Sequence, residues 1–257
     1  MSTPTTTSLA GRTAVVTGST SGIGSATAHH FAARGARVVV TGRDAARGAE
    51  VVDAITASGG SAVFVAGDLT TPPAAHRELA DGWTSALDGR IDVLVHNAAI
   101  CPPVDTVSLT DEDLEATLAV NVRAPQVLTA AIAPAMVDQG GGSIVVVGSW
   151  MAGVGHPFVG FYSATKAAEA QLARSWAAEF GPRGVRVNTV APGATRTPIN
   201  AGDDDVIARM TAGTPAGRPG TPDEVAAAIT WLVSDEAGYV HGALIPVDGG
   251  ITATRPV

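Results

Sequence analysis

The 257-residue chain carries 24 acidic against 16 basic residues, a formal charge of −8, and is 46% hydrophobic. That balance excludes intrinsic disorder and argues against nucleic acid or an anionic membrane surface as a partner. The single cysteine, Cys101, excludes an internal disulfide framework and suits a reducing compartment, so the expected location is cytoplasmic.

Residues 1–8 have neither the basic nor the apolar region of a signal peptide and are expected to form a flexible tail. No apolar run reaches the length of a membrane span. From there strand-like and helix-like runs alternate. Residues 12–17 read as a first strand, followed by a loop with Gly18, Gly22 and Gly24 and an Ala-rich helix to about residue 34. Residues 36–41 are a second strand, and Asp44 caps a helix to about residue 58. Residues 61–66 form a third strand, and a helix starts near Pro72, where proline suits a first turn. Residues 91–96 form a fourth strand. Residues 111–138 read as one long or broken helix containing Asn121, with Pro125 as a candidate kink. The β-branched run at 143–148 is a fifth strand, and a helix carrying Tyr162 and Lys166 runs to about residue 182. Residues 185–190 are a sixth strand. Thr221 and Glu224 have capping-box spacing at the start of a helix to about residue 234, and residues 243–247 close the chain as a seventh strand.

Nearly continuous apolar strands alternating with helices predict an α/β fold: one doubly wound parallel sheet over residues 9–257, covered on both faces. In such folds ligands bind at the carboxyl ends of the strands. The loop at 18–24, Arg43, Asp68, Asn97, Ser149 and the segment 192–197 all follow strands directly. Glycines in the first loop would let backbone amides approach a pyrophosphate, with the next helix's N-terminus stabilising its charge. Tyr162 and Lys166, four apart, share a helix face. Lys166 is the only lysine in the chain, and an ammonium beside a phenol favours its ionised form, which predicts a Tyr162 tuned toward neutral pH. Such a phenol can exchange a proton with a carbonyl or alcohol oxygen held by the Ser149 hydroxyl.

Taken together and in this order, these motifs resemble the short-chain dehydrogenase/reductase family over nearly all of residues 9–250. The resemblance implies Asn121, Ser149, Tyr162 and Lys166 as the catalytic set, with Tyr162 as acid in reduction and base in oxidation. Lys166 would lower its pKa and bond the nicotinamide ribose, and Asn121 would support a water relay. It implies a cofactor site of Gly18, Ser19, Thr20, Ser21, Gly22, Ile23, Gly24, Asp68, Leu69, Asn97, Ala98, Tyr162, Lys166, Pro192, Gly193, Thr195 and Thr197. His96 and Ala99 depart from the family's pattern after the fourth strand, and His96 reads as a structural histidine. Thr195 stands where the family often has an aliphatic residue.

Arg43 joins the cofactor site as its selector. NAD enzymes normally place a carboxylate at the end of the second strand; here that place falls on Gly42 and Arg43 follows, which favours NADP(H) over NAD(H). Trp150, Met151, His156 and Phe158, with Ser149, are the candidate substrate contacts. Their largely apolar character predicts an uncharged ketone or secondary alcohol with hydrophobic or aromatic substituents. Asp203, Asp204 and Asp205 read as a solvated helix start, and no metal site is expected. The expected activity is that of an NADP(H)-dependent carbonyl reductase, assembled as a homotetramer or homodimer. The alternatives are a 3-oxoacyl carrier-protein reductase, an NAD-dependent alcohol dehydrogenase, and a catalytically silent nucleotide-sensing protein.

Overall fold

The computed structural model describes residues 7–198, 202 and 204–254, so most of the expected tail at 1–8 lies outside the described residues. Seven strands form one parallel sheet: β1 Thr13–Thr17, β2 Arg37–Gly42, β3 Ser61–Ala66, β4 Val93–His96, β5 Gly142–Val147, β6 Val185–Pro192 and β7 Leu244–Val247. Their order is β3-β2-β1-β4-β5-β6-β7. The helices are α1 Gly22–Ala32, α2 Ala45–Ala57, α3 Pro73–Ala86, α4 Asp111–Leu118, α5 Ala124–Asp138, α6 Gly160–Phe180, α7 Asp204–Thr211 and α8 Pro222–Val233.

Side chains alternate across each strand, so every apolar strand feeds two cores. Val16, Val38 and Val145 pack with Phe31 of α1 and with Ile229 and Leu232 of α8. Val15, Val39 and Leu94 point the other way, onto Trp83 of α3, Leu128 and Met136 of α5, and Trp176 of α6. The register sets Val15 beside Val39 on one side and Leu94 on the other. After β1 the chain moves out through β2 and β3, then returns to lay β4 on β1's free edge. The resulting crevice lies between the β1 and β4 ends, where doubly wound sheets bind ligands.

Two expectations change in the long helical region. It breaks as a π-turn over Ala119–Arg123, centred on Asn121, and not at Pro125. Pro125 is the second residue of α5, just beyond that turn in a helix whose backbone stays helical throughout. Asp44 and the Thr221–Glu224 capping box close α2 and α8 as predicted. Among the three aspartates, Asp203 lies outside the described residues and Asp204 opens α7.

Candidate active site

The glycine loop is built by steric necessity. A Cβ on Gly24 would lie 2.4 Å from the Gly18 carbonyl oxygen and 2.5 Å from Asn97 Nδ2. Gly18 and Gly22 have φ of 63° and 55°, in the left-handed region that glycine enters without steric cost. Asn97 fastens the loop from β4: its Nδ2 donates to the Thr17 and Gly18 carbonyls at 2.8 and 3.1 Å, and its N–H donates to Thr17 Oγ1 at 2.9 Å. Ser19 is wholly buried, donating to the Val16 carbonyl at 2.6 Å and accepting from the Thr41 N–H at 2.9 Å. Its N–H also donates to the Thr41 carbonyl at 3.1 Å, so both the amide and the hydroxyl of Ser19 are spent on tying the loop to β2 and β1.

The start of α1 differs from those of α4 and α8. Ser21 makes no side-chain cap and the first turn holds no acidic residue, whereas α4 and α8 are closed by threonine caps and acidic first turns. Unclaimed amides at a helix N-terminus stabilise an anion. Thr197 lies over Gly22, close enough that a Cβ there would sit 3.5 Å from it. The segment after β6 thus comes back onto the loop, anchored by the Gly193 N–H to the Val247 carbonyl at 3.0 Å and by Thr195 Oγ1 to the Gly193 carbonyl at 3.0 Å. Pro192 ends β6 beside Val247. These residues fit a dinucleotide: a glycine cradle no larger residue could form, and a helix end left open for phosphate.

Arg43 is exposed beyond β2. Its charge reaches Asp68, whose carboxylate accepts from the Thr70 N–H and hydroxyl at 2.9 and 2.8 Å. Burial raises the Asp68 pKa, but the bonds from Thr70 outweigh it and the net shift is down. Leu69 packs against the α3 core and Ala98 against Gly18.

At the end of β5, Ser149 is nearly buried and its Oγ accepts from the Met151 N–H at 3.1 Å. Lys166 is 1% exposed and donates to the Val147 carbonyl at 2.9 Å, and its ammonium lies 5.9 Å from the centre of the Tyr162 ring. Burial pushes the Tyr162 pKa up; Lys166 and the Ser149 hydroxyl pull it down by less, so the net direction is upward. The sign expected for Lys166 holds, but burial reverses the expected outcome in the free protein. Burial likewise opposes the charge on Lys166, yet the Glu169 carboxylate and the Tyr162 phenol outweigh it and raise its pKa.

Asn121 is wholly buried in the π-turn. Its Oδ1 accepts from the Ile100 N–H at 2.9 Å, and its Nδ2 donates to the Ile100 carbonyl at 2.9 Å and to Thr165 Oγ1 at 3.0 Å. Both side-chain donors are used, so the amide braces the loop after β4 against α6. His96 is buried, 2.9 Å from Thr129 Oγ1 and tilted against Trp176 with ring centres 5.9 Å apart; burial drives its pKa down to about 3, which keeps it neutral. Burial also pushes the Cys101 thiol up to about 11.

The substrate-side residues are more open. Trp150 and Met151 lie half-buried in a 3-10 turn, Trp150–Gly153. Phe158 is 55% exposed, edge-on to His156 with ring centres 6.3 Å apart. Sequence reasoning missed Glu169, which pairs with Lys166 at 2.7 Å and is 1% exposed. Its signal was a carboxylate in the stripe Lys166, Glu169, Ala170 and Ala173, the buried face of α6. A hollow of about 710 Å³ at the opposite, amino-terminal end of the sheet is lined by charges already paired, Arg12 with Asp235 and Arg90 with Asp92. Among the described residues, no three His, Cys, Asp or Glu side chains gather as metal ligands.

Comparison with known proteins agrees with this fold. A family model described as enoyl-(acyl carrier protein) reductase matches residues 18–252. A cis-4-hydroxycyclohexanecarboxylate dehydrogenase from Sinomonas cyclohexanicum is 42% identical, covering 94% of this chain and 97% of its own. An L-rhamnose 1-dehydrogenase (NAD(P)(+)) from Azotobacter vinelandii is 38% identical over 93% of this chain and 96% of its own. A crystal structure of a 3-oxoacyl (acyl-carrier-protein) reductase from Agrobacterium tumefaciens with NADP bound superposes with a TM-score of 0.89, at 35% identity, covering 96% of each chain.

Proposed function

Since the chain belongs to the short-chain dehydrogenase/reductase family, we propose that it is an NADP(H)-dependent carbonyl reductase interconverting a ketone and a secondary alcohol with hydrophobic substituents. The observation that carries this reading is the Lys166 ammonium, buried behind the Tyr162 ring at the end of β5 and next to Ser149. The 18–24 loop and the α1 N-terminus hold the pyrophosphate, and Arg43 takes the 2′-phosphate. Bound nicotinamide supplies the hydride in reduction and takes it in oxidation.

The chain's own residues manage the proton. Ser149 donates a hydrogen bond to the substrate oxygen and fixes it against Tyr162. In reduction the Tyr162 phenol gives its proton to that oxygen as negative charge develops there, and in oxidation the phenolate takes it back. Lys166 stabilises the phenolate between those events. Asn121 holds the chain after β4 against α6, which keeps Lys166 and Tyr162 in register with the strand ends.

Half-buried Trp150 and Met151 supply an apolar wall, and exposed Phe158 extends it. A relative named for a hydroxyl on a cyclohexane ring supports a compact cyclic alcohol or ketone as the first substrate to try. A second reading, a 3-oxoacyl carrier-protein reductase, is favoured by the NADP-bound structure described above. The −8 charge opposes an acidic protein partner. The assembly is a homotetramer or homodimer: Tyr239 is fully exposed and Leu244 is exposed on the edge strand. The location is cytoplasmic, in keeping with one cysteine.

The test is a fluorescence titration with NADPH and NADH, followed by nicotinamide absorbance with cyclic ketones and acyl thioesters. NADPH preference with ketone turnover supports the reading. Turnover of acyl thioesters alone favours the second reading, and binding of neither cofactor overturns both.

A further inference from the structure

We propose that Glu169 is a positioning residue of the catalytic centre, holding the Lys166 ammonium against β5 and setting how much of its charge Tyr162 feels. The inference rests on Tyr162 being the acid–base group. Glu169 lies three residues after Lys166, one turn further along α6. Its Oε2 is 2.7 Å from Lys166 Nζ, and each residue is 1% exposed. The ammonium is thus fixed from two directions, by the Val147 carbonyl and by this carboxylate. Neither Glu169 oxygen makes a hydrogen bond that meets full geometry among the described residues, so the Oε2 contact to Lys166 is an ion pair.

A carboxylate buried this deeply with neither oxygen hydrogen-bonded is costly to keep ionised, and a serine or amide would anchor Lys166 more cheaply. Burial pushes the Glu169 carboxyl up to about 7, with Lys166 opposing that rise. Its proton therefore exchanges near neutrality. When Glu169 is protonated, the Lys166 charge is uncompensated and stabilises the Tyr162 phenolate in full. When Glu169 ionises, its charge cancels part of that field and Tyr162 keeps its proton more tightly. The remaining titratable groups facing the pair do not replace it. Cys101, in the chain after β4, and His96, at the end of β4, are both held neutral by burial, and Lys166 is the only charge acting on Glu169 among the described residues. Glu169 thus favours the protonated phenol, the form that donates in ketone reduction.

The test needs no substrate. The chain has two tyrosines, and Tyr239 is fully exposed, so the tyrosinate absorbance lost in Tyr162→Phe isolates the Tyr162 titration. Glu169→Gln should lower the Tyr162 midpoint by about one pH unit, tenfold more phenolate at a given pH. In a Lys166→Met background the same substitution should move it less, because only the direct repulsion between the Glu169 carboxylate and the phenolate remains. An unmoved midpoint in Glu169→Gln, or an equal shift in both backgrounds, overturns the proposal. Infrared spectroscopy of the unaltered protein gives an independent reading should the variant fail to fold. A protonated-carboxyl band titrating near neutral pH is expected, and its absence also overturns the proposal. Loss of turnover with either result would bear on the proposed function and not on this pairing.

Discussion

Gly42 approaches Thr20 so closely that a Cβ on it would lie 2.8 Å from the threonine's Cγ2 and 3.1 Å from its Oγ1. Position 42 is therefore closed to any side chain unless Thr20 moves. The next residue, Arg43, is exposed at the strand end. Replacing Arg43 with alanine should weaken NADPH binding about 10- to 100-fold, the value of one charge-assisted phosphate contact, and leave NADH binding nearly unchanged. Parallel titrations check this, and equal losses would remove Arg43 as the selector.

Asn97→Ala removes the two donors that join β4 to the Thr17 and Gly18 carbonyls. The expected cost is about 1–3 kcal/mol of stability, together with weaker cofactor binding as the loop loosens. Thermal unfolding with and without NADPH measures both. An unchanged Tm would show that the glycine turn holds itself.

How much of this was legible in the sequence follows from what each residue's neighbours could reveal. The strands and the glycine loop were readable because apolar runs and glycines carry local signals, and Tyr162 with Lys166 because their spacing alone puts them on one helix face. Tyr162's upward shift was not readable, since burial comes from elements distant in sequence. The π-turn at Asn121 carries no marker of its own beyond Pro125, which lies just after it. Glu169 was overlooked for a similar reason. A glutamate in an alanine-rich helix is normally solvated, and only the packing of α6 onto the sheet shows it beneath Lys166.

Acid sensitivity should centre on Asp92. This residue, 4% exposed, accepts from the Thr13 N–H at 2.9 Å and from Arg90 Nε at 2.8 Å. Burial opposes its charge, but these bonds outweigh burial and lower its pKa. Because the folded value lies below the unfolded one, its contribution is present above the unfolded pKa and is lost as the pH falls through the folded value. Asp92→Asn should destabilise the protein by about 1–3 kcal/mol at neutral pH and flatten the stability curve on its acid side. Denaturant unfolding at several acidic pH values checks this; a curve that steepens would contradict it.

In the proposed function Tyr162 moves the proton of a nicotinamide-dependent redox reaction. The most direct measurement is Tyr162→Phe, assayed for turnover of whichever cyclic ketone the unaltered protein reduces and for NADPH affinity by fluorescence. The predicted result is a loss of about 10²- to 10⁴-fold in turnover with NADPH affinity retained. Retained turnover in the variant would contradict the claim.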